Sequence, residues 1–208
     1  MVKSTVKKAK NHNNIDLIQS VMNMNDGYIT SKEITKYGIH RMFLKIMEER
    51  NIIKKISSGI YIDSNKEIDN YYVTSLIIPS AIYSHMTALY LYGFPIDEPK
   101  KKYDITVLKD YNSVNLRKHN SFHVQDKFYK LGLSVIRTPM GNKVKIYDLE
   151  RCICDIIRSK KRMDSRLFKI CIKEYFNRPD KDLVELMYYA KKMGIKDDVQ
   201  LYIDMLSD

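Results

Sequence analysis

The chain has 208 residues, of which 44% are hydrophobic, and its formal charge at pH 7 is +11. This size allows one or two globular domains, and the positive charge favours a polyanionic partner. No stretch approaches the roughly 18–20 consecutive apolar residues of a membrane span. The lysines at positions 3, 7, 8 and 10 are not followed by the apolar segment of a secretory signal. We expect these lysines to form a frayed arm that touches phosphates.

The first element predicted is a helix over residues 13–25, and the stretch 27–62 after it predicts a small DNA-reading module. Thr30 and Glu33 form a capping-box pattern at the start of a short helix, which Gly38 ends. A second helix then runs from His40 to Asn51, with Ile39 able to pack on its first turns. Two short apolar runs around Ser57-Ser58-Gly59 predict a β-hairpin. This order is that of a winged helix-turn-helix.

The second helix of the module carries the predicted contacts to bases. His40, Arg41 and Lys45 lie opposite its apolar face, where a recognition helix presents side chains to the major groove. Arg41 is the best candidate to read a base, because its planar guanidinium can bond guanine O6 and N7 together. Lys45 could contact either a base or a phosphate. The alternative interpretation is a solvated helix face without a partner.

The hairpin carries the predicted contacts to phosphates. Lys54 and Lys55 lie beside its turn, where they could position the protein without reading sequence, and the turn residues Ser57 and Ser58 complete the predicted DNA-binding set. The distribution of charge agrees, since residues 1–66 hold 12 Lys and Arg against 6 Asp and Glu, whereas residues 67–208 hold 24 against 19. A solvated hairpin is again the alternative.

The polar run 63–67 predicts a boundary between domains 1–64 and 67–208. After it, we expect helices over 68–78 and 84–92, followed by strands around 103–108, 121–125, 133–137 and 143–146. Helices over 148–160, 165–177, 180–193 and 196–206 complete the chain. The predicted fold class is therefore α+β: an N-terminal winged helix-turn-helix followed by a mixed α/β domain with a helical C-terminus.

Residues with catalytic chemistry are sparse. His119 and His123 have a spacing that could place two imidazoles on one helix face, but the residues between them predict a strand. The three cysteines, at positions 152, 154 and 171, lie in predicted helices, and their odd number argues against a disulfide framework and indicates a reducing cytoplasm. We expect buried structural thiols, and predict no catalytic residue, metal site or cofactor.

Several segments resemble the AbiEi-family antitoxins, the regulatory halves of abortive-infection (type IV) toxin–antitoxin systems. In the N-terminal module these are Gly27-Tyr28-Ile29-Thr30 with Glu33, Tyr37-Gly38-Ile39-His40 and Ser58-Gly59-Ile60-Tyr61. In the C-terminal part they are Ser84-His85-Met86-Thr87-Ala88-Leu89 with Gly93, and the segment 144–151 with Cys154-Asp155. The resemblance therefore spans nearly the whole chain.

The resemblance implies two roles in phage defence. The winged module would bind inverted repeats in the promoter of its own operon as a transcriptional repressor. The C-terminal domain would counteract a nucleotidyltransferase-like toxin encoded alongside, without a stable complex between the two proteins. The residues themselves leave two alternatives open: a ligand-responsive winged-helix transcription factor with no toxin partner, and a nuclease directed to DNA by its winged module.

Overall fold

The computed structural model describes residues 14–100 and 102–206. These residues form helices and two separate β-sheets, joined by loops, and the C-terminal region is helical. The α+β class and the helical C-terminus are thereby confirmed. Contacts divide the chain into one unit that ends at Ile77 and a second that begins at Ile78. The predicted lysine arm at positions 3, 7, 8 and 10 lies outside the described residues.

The first unit alternates helices with the strands of a three-stranded antiparallel sheet. Helix α1 covers residues 14–24. It is followed by β1 (Tyr28–Thr30), α2 (Ser31–Lys36), α3 (Met42–Glu49), β2 (Ile53–Ser57), β3 (Ile60–Asp63) and α4 (Asn70–Ile77). The strand order is β1-β3-β2, so β3 lies between the other two.

Local chemistry accounts for where α2 begins and ends. The Thr30 backbone N–H donates to Glu33 Oε2 at 2.8 Å, and the Glu33 N–H donates to Thr30 Oγ1 at 3.2 Å, which confirms the predicted capping box. After the helix, Gly38 has a φ of +69°, a left-handed conformation that glycine adopts without steric cost. The chain can therefore turn directly toward α3.

One apolar core holds α1, α2, α3 and the sheet of the first unit together. Its members are Ile15, Ile18, Val21, Met22, Ile29, Ile34, Ile39, Phe43, Leu44, Met47 and Ile53. Burial of apolar side chains stabilises a fold by roughly 25 cal/mol for each Å² removed from water. Both Ile39 and Leu44 belong to this core, so the entry to α3 is fixed by packing.

Helix α4 belongs to the first unit, although the sequence assigned it to the second domain. The Asp69 backbone N–H donates to the Tyr28 hydroxyl at 2.8 Å, and the rings of Tyr28 and Tyr72 meet edge to face at 4.9 Å. Val73 is buried in the same small cluster. The boundary between the units therefore falls after the polar run 63–67, because α4 packs onto β1.

The second unit contains a mixed five-stranded sheet. Its strands are β4 (Ile82–Tyr83), β5 (Asp104–Leu108), β6 (Asn120–Val124), β7 (Leu133–Arg137) and β8 (Lys143–Tyr147). Their order is β6-β5-β4-β8-β7. The β5–β6 and β4–β8 pairs are parallel, whereas β4–β5 and β7–β8 are antiparallel. The central strand β4 was not predicted, because two residues are too short to show an alternating pattern.

Two helices of the second unit lie between its strands, and four more make up its C-terminal part. They are α5 (His85–Leu91), α6 (Asp126–Tyr129), α7 (Leu149–Arg158), α8 (Ser165–Asn177), α9 (Leu183–Met193) and α10 (Lys196–Leu206), with short 3-10 helices at Val114–Lys118 and Lys160–Arg162. Helix α7 is central among them and contacts α5, α8, α9 and α10. An aspartate caps α7, α8 and α9, and each accepts backbone N–H groups that the helix leaves unpaired.

A buried ion pair lies at the centre of the second unit. Arg151 Nε donates to Asp155 Oδ2 at 3.1 Å, and the two side chains are 0% and 2% exposed. Arg151 Nη1 also donates to the carbonyls of Phe128 and Leu131, each at 2.7 Å. Removing either partner of such a pair leaves an uncompensated buried charge, so the pair is needed for the fold. Because the Arg151 side chain is fully buried, it is not accessible to a ligand.

Candidate nucleic-acid interface

The two faces of α3 differ sharply in exposure. Phe43, Leu44 and Met47 are buried in the core of the first unit, while Arg41 and Lys45 are exposed. Residues four apart lie on the same side of a helix, so this arrangement presents two cationic side chains to solvent together. No described residue accepts a hydrogen bond from the Arg41 side chain, which leaves all its donors open to a ligand.

The start of α3 differs in detail from its prediction. The helix begins at Met42 and Arg41 is its N-cap residue, but no side chain caps it from that position. Instead, the exposed His40 uses Nδ1 to accept the Met42 backbone N–H at 3.2 Å. His40 thus has a local role at the helix start, and that nitrogen is occupied in this conformation.

Lys45 has a partner on its own helix. Its Nζ lies 3.8 Å from Glu49 Oε1, and the two side chains are 80% and 64% exposed. A pair this exposed contributes little to stability, on the order of 0.3–0.5 kcal/mol for this helical spacing. A phosphate could therefore replace Glu49 as the partner of Lys45 at small cost.

The two adjacent lysines of the hairpin formed by β2 and β3 differ in exposure and in hydrogen bonding. Lys55 is exposed. Lys54 Nζ donates to the Lys66 carbonyl at 2.6 Å and to the Ser64 carbonyl at 3.4 Å. Lys54 therefore anchors the chain that follows β3, a contact for which the sequence carries no local signal.

The turn of the hairpin lies against the start of α2. The Ser31 backbone N–H donates to the Gly59 carbonyl at 2.8 Å, and a Cβ on Gly59 would lie 3.3 Å from Ser31 Oγ. Ser58 in this turn is exposed and Ser57 is half-buried. Since α3 also contacts β2, the predicted DNA-binding residues occupy two adjoining elements of one unit.

The His and Cys candidates do not form a reactive site. His123 is on β6 rather than on a helix, and His119 stacks against the Tyr103 ring at 5.7 Å. Cys152, Cys154 and Cys171 are buried and free, and burial raises the pKa of the Cys171 thiol to about 11. Over residues 14–100 and 102–206, no group of three or more His, Cys, Asp or Glu side chains is arranged to hold a metal ion.

None of the helices in the described part of the chain is both long and apolar enough to cross a membrane. Comparison with models of protein families finds no match to this chain, and comparison with curated proteins finds none either.

Proposed function

We propose that the chain binds double-stranded DNA through its first unit, as a winged helix-turn-helix. The order of elements supports this proposal: a helix, a strand, two helices joined by a tight turn, and a hairpin whose second strand pairs with the first strand. Helix-turn-helix proteins insert their second helix into the major groove. In this unit that helix is α3, and the hairpin is the wing.

The observation that carries the proposal is the exposed cationic face of α3. The Arg41 side chain has no intramolecular partner among the described residues, and the Lys45 side chain has one weak partner. The opposite face is buried, so the helix axis and the side of the helix from which both residues project are fixed before DNA binds. A backbone that is already ordered lowers the conformational cost of binding.

On the resemblance to AbiEi antitoxins, we further propose that the protein represses its own operon and counteracts a nucleotidyltransferase-like toxin. The operator would be an inverted repeat, bound by two copies of the first unit on half-sites about 10 base pairs apart or a multiple of this. The second unit would carry the antitoxic role, without a stable complex with the toxin. No enzymatic activity of the chain itself is proposed.

Titration of the full chain against two labelled duplexes tests the DNA-binding proposal. One duplex contains the sequence upstream of its own gene, and the other is a scrambled sequence of equal length. We expect the native duplex to bind at least about a thousandfold more tightly at physiological salt, as specific DNA-binding proteins do. Equal affinity for the two duplexes would contradict operator recognition, and absence of binding to both would contradict DNA binding altogether.

Co-expression tests the antitoxin proposal separately. The full chain, expressed from an external promoter, should restore growth of cells that express the toxin gene adjacent to its own. A ligand-responsive transcription factor is the second candidate. Two cavities of about 570 and 370 Å³ in the second unit favour it, because they could hold a small molecule. The absence of an adjacent gene that is toxic when expressed alone would support this second candidate against the first.

A further inference from the structure

The edge strand β6 borders two adjoining cavities in the second unit. The first has a volume of about 570 Å³, and its lining includes Arg158, Lys161, Arg162, Ser121 and Ser159. The second has a volume of about 370 Å³. Both volumes fall in the range of roughly 300–1,000 Å³ that is usual for small-molecule sites.

The cations of the first cavity are available to a ligand. Arg158, Lys161 and Arg162 are exposed, no described carboxylate pairs with them, and none lines this cavity. The adjacent Lys160 differs, because its Nζ contacts Asp198 Oδ1 at 3.1 Å and it does not line the cavity. Cations at the C-terminal end of α7 also offset its helix dipole, but that role does not require three of them to share one cavity.

The second cavity is more apolar and shares two residues with the first. Phe122 and Arg162 border both cavities, and Met86, Met163 and Leu167 add apolar surface to the second. Two carboxylates also border it, but each already accepts hydrogen bonds within the fold. Asp104 accepts from the Met86 N–H and from Asn120, and Asp164 caps α8.

Phe122, which borders both cavities, is held in place by packing on His85. The ring of Phe122 stacks on the buried His85 ring, with centroids 3.5 Å apart and planes 13° apart. His85 Nδ1 lies 2.9 Å from Ser84 Oγ, and Nε2 lies 3.3 Å from Ser159 Oγ. His85 also has a φ of +48°. Such strain in a residue other than glycine is more frequent at functional sites than elsewhere.

We propose that these two cavities together bind a nucleotide, with its phosphates in the first and its base in the second. Guanidinium and ammonium groups bind phosphate oxygens through charge-assisted hydrogen bonds, and the Ser159 hydroxyl, which lies 3.3 Å from His85 Nε2, adds a neutral donor. The part of the Phe122 ring that His85 leaves uncovered offers a surface on which a base can stack, an interaction that tolerates every base. The inference does not depend on DNA binding by the first unit.

This chemistry fits two sources of ligand: a free nucleoside triphosphate, or the 5′-phosphorylated end of a single strand. Calorimetric titration of the full chain distinguishes them with ATP, UTP, inorganic pyrophosphate, and a trinucleotide carrying either a 5′-phosphate or a 5′-hydroxyl. Tighter binding of the triphosphates assigns the cavities to free nucleotides. Tighter binding of the phosphorylated trinucleotide than of its hydroxyl form and of the triphosphates assigns them to strand ends.

Substitutions test whether the binding occurs in these cavities. Arg162→Gln should weaken the tightest-binding probe by about tenfold or more, because it removes a charged hydrogen-bond donor. The neighbouring Lys160→Gln removes the same charge outside the cavity and should change affinity by less than about twofold. Phe122→Leu should weaken ATP or the trinucleotide but leave pyrophosphate binding unchanged. Thermal unfolding of each variant confirms that it is folded.

Three results would overturn the proposal. They are absence of binding for every probe at millimolar concentration and physiological salt, equal losses in Arg162→Gln and Lys160→Gln, and binding that is unaffected by Arg162→Gln. Equal losses would indicate general attraction of anions to a basic surface rather than a site.

Discussion

Lys54 and Lys55 are adjacent in β2, but their side chains have different surroundings. The Lys54 ammonium group donates to the carbonyls of Ser64 and Lys66, whereas Lys55 is exposed. The capping box of Thr30 and Glu33 was predictable, because its partners are three residues apart. The contacts of Lys54 span ten residues or more and depend on the path of the chain after β3, which no local pattern encodes.

This difference separates the effects of substituting the two lysines. Lys55→Ala should weaken binding to all duplex sequences and reduce the slope of log affinity against log salt by about one, as expected for one lost phosphate contact. Lys54→Ala should change the slope less and lower the thermal stability of the first unit, because its carbonyl partners lose their donor. Salt titrations and thermal unfolding of both variants make the comparison. If Lys55→Ala and the unaltered protein have equal slopes, Lys55 makes no phosphate contact and the assignment of the hairpin to the DNA interface is contradicted.

Substitution of Gly132 tests how tightly the buried Arg151 is packed. A Cβ at this position would lie 2.6 Å from Arg151 Cβ, and the residue has a φ of +72°. Gly132→Ala should therefore combine backbone strain, about 1–3 kcal/mol, with displacement of the buried arginine. Gly141→Ala is the matched control, because its φ is +92° and nothing lies within 4 Å of the added atom. Urea unfolding should show the larger loss for Gly132→Ala, and equal losses would mean that Arg151 moves aside freely.

The boundaries of helices could be predicted from the sequence, whereas the pairing of strands could not. Helices α7 to α10 follow their predicted ranges closely, and the aspartates that cap α7, α8 and α9 are local to the helix starts. The order β6-β5-β4-β8-β7 was not predictable, because it depends on a two-residue central strand. Ser84 is the N-cap residue of α5, but its side chain accepts no backbone N–H of that helix. Its hydroxyl instead accepts a hydrogen bond from Thr106 at 2.9 Å and lies beside His85.

The environment of His85 predicts a pH dependence of stability. Burial lowers the pKa of the imidazole below its ordinary value of 6.5; Asp155 and Asp104 act in the opposite direction, and Arg158 and Arg151 add to the lowering. The unfolded chain therefore binds a proton more readily than the folded one. This contribution to stability is complete above pH 6.5 and is lost as the pH falls below it.

Urea unfolding between pH 5 and pH 8 measures this effect. His85→Asn should flatten the acid side of the stability profile, and asparagine tolerates the left-handed conformation at this position. Some slope should remain, because burial also lowers the pKa of His119. An acid slope as steep in His85→Asn as in the unaltered protein would mean that other groups cause it.

The division of the chain after Ile77 determines which fragments can separate the two proposed roles. A fragment of residues 78–208 should fold alone, lose operator binding and retain part of the protection against the toxin. A fragment of residues 67–208 carries α4 without β1 and so exposes Val73, which is buried in the intact first unit. It should be less soluble than the shorter fragment. Matched co-expression with the toxin and counts of surviving cells measure protection.

The shorter fragment provides the decisive comparison for the second unit. If it is folded and soluble yet wholly unprotective while the full chain protects, antitoxicity requires the first unit. Repression of the toxin gene would then account for protection. The sequence suggested the two roles through resemblance. The division by contacts falls after Ile77 rather than in the polar run 63–67, because α4 packs on Tyr28, which lies far from it in the chain.

Titration of Arg41→Ala against the operator duplex tests whether α3 reads DNA. We expect a loss of about 1–3 kcal/mol and a relaxed preference at one base pair. Arg50→Ala is the matched control, because Arg50 is exposed, follows α3, and lies roughly two and a half helical turns after Arg41, on the opposite side. It should bind nearly as tightly as the unaltered protein. Operator affinity and base preference unchanged in Arg41→Ala would contradict the assignment of α3 as the recognition helix.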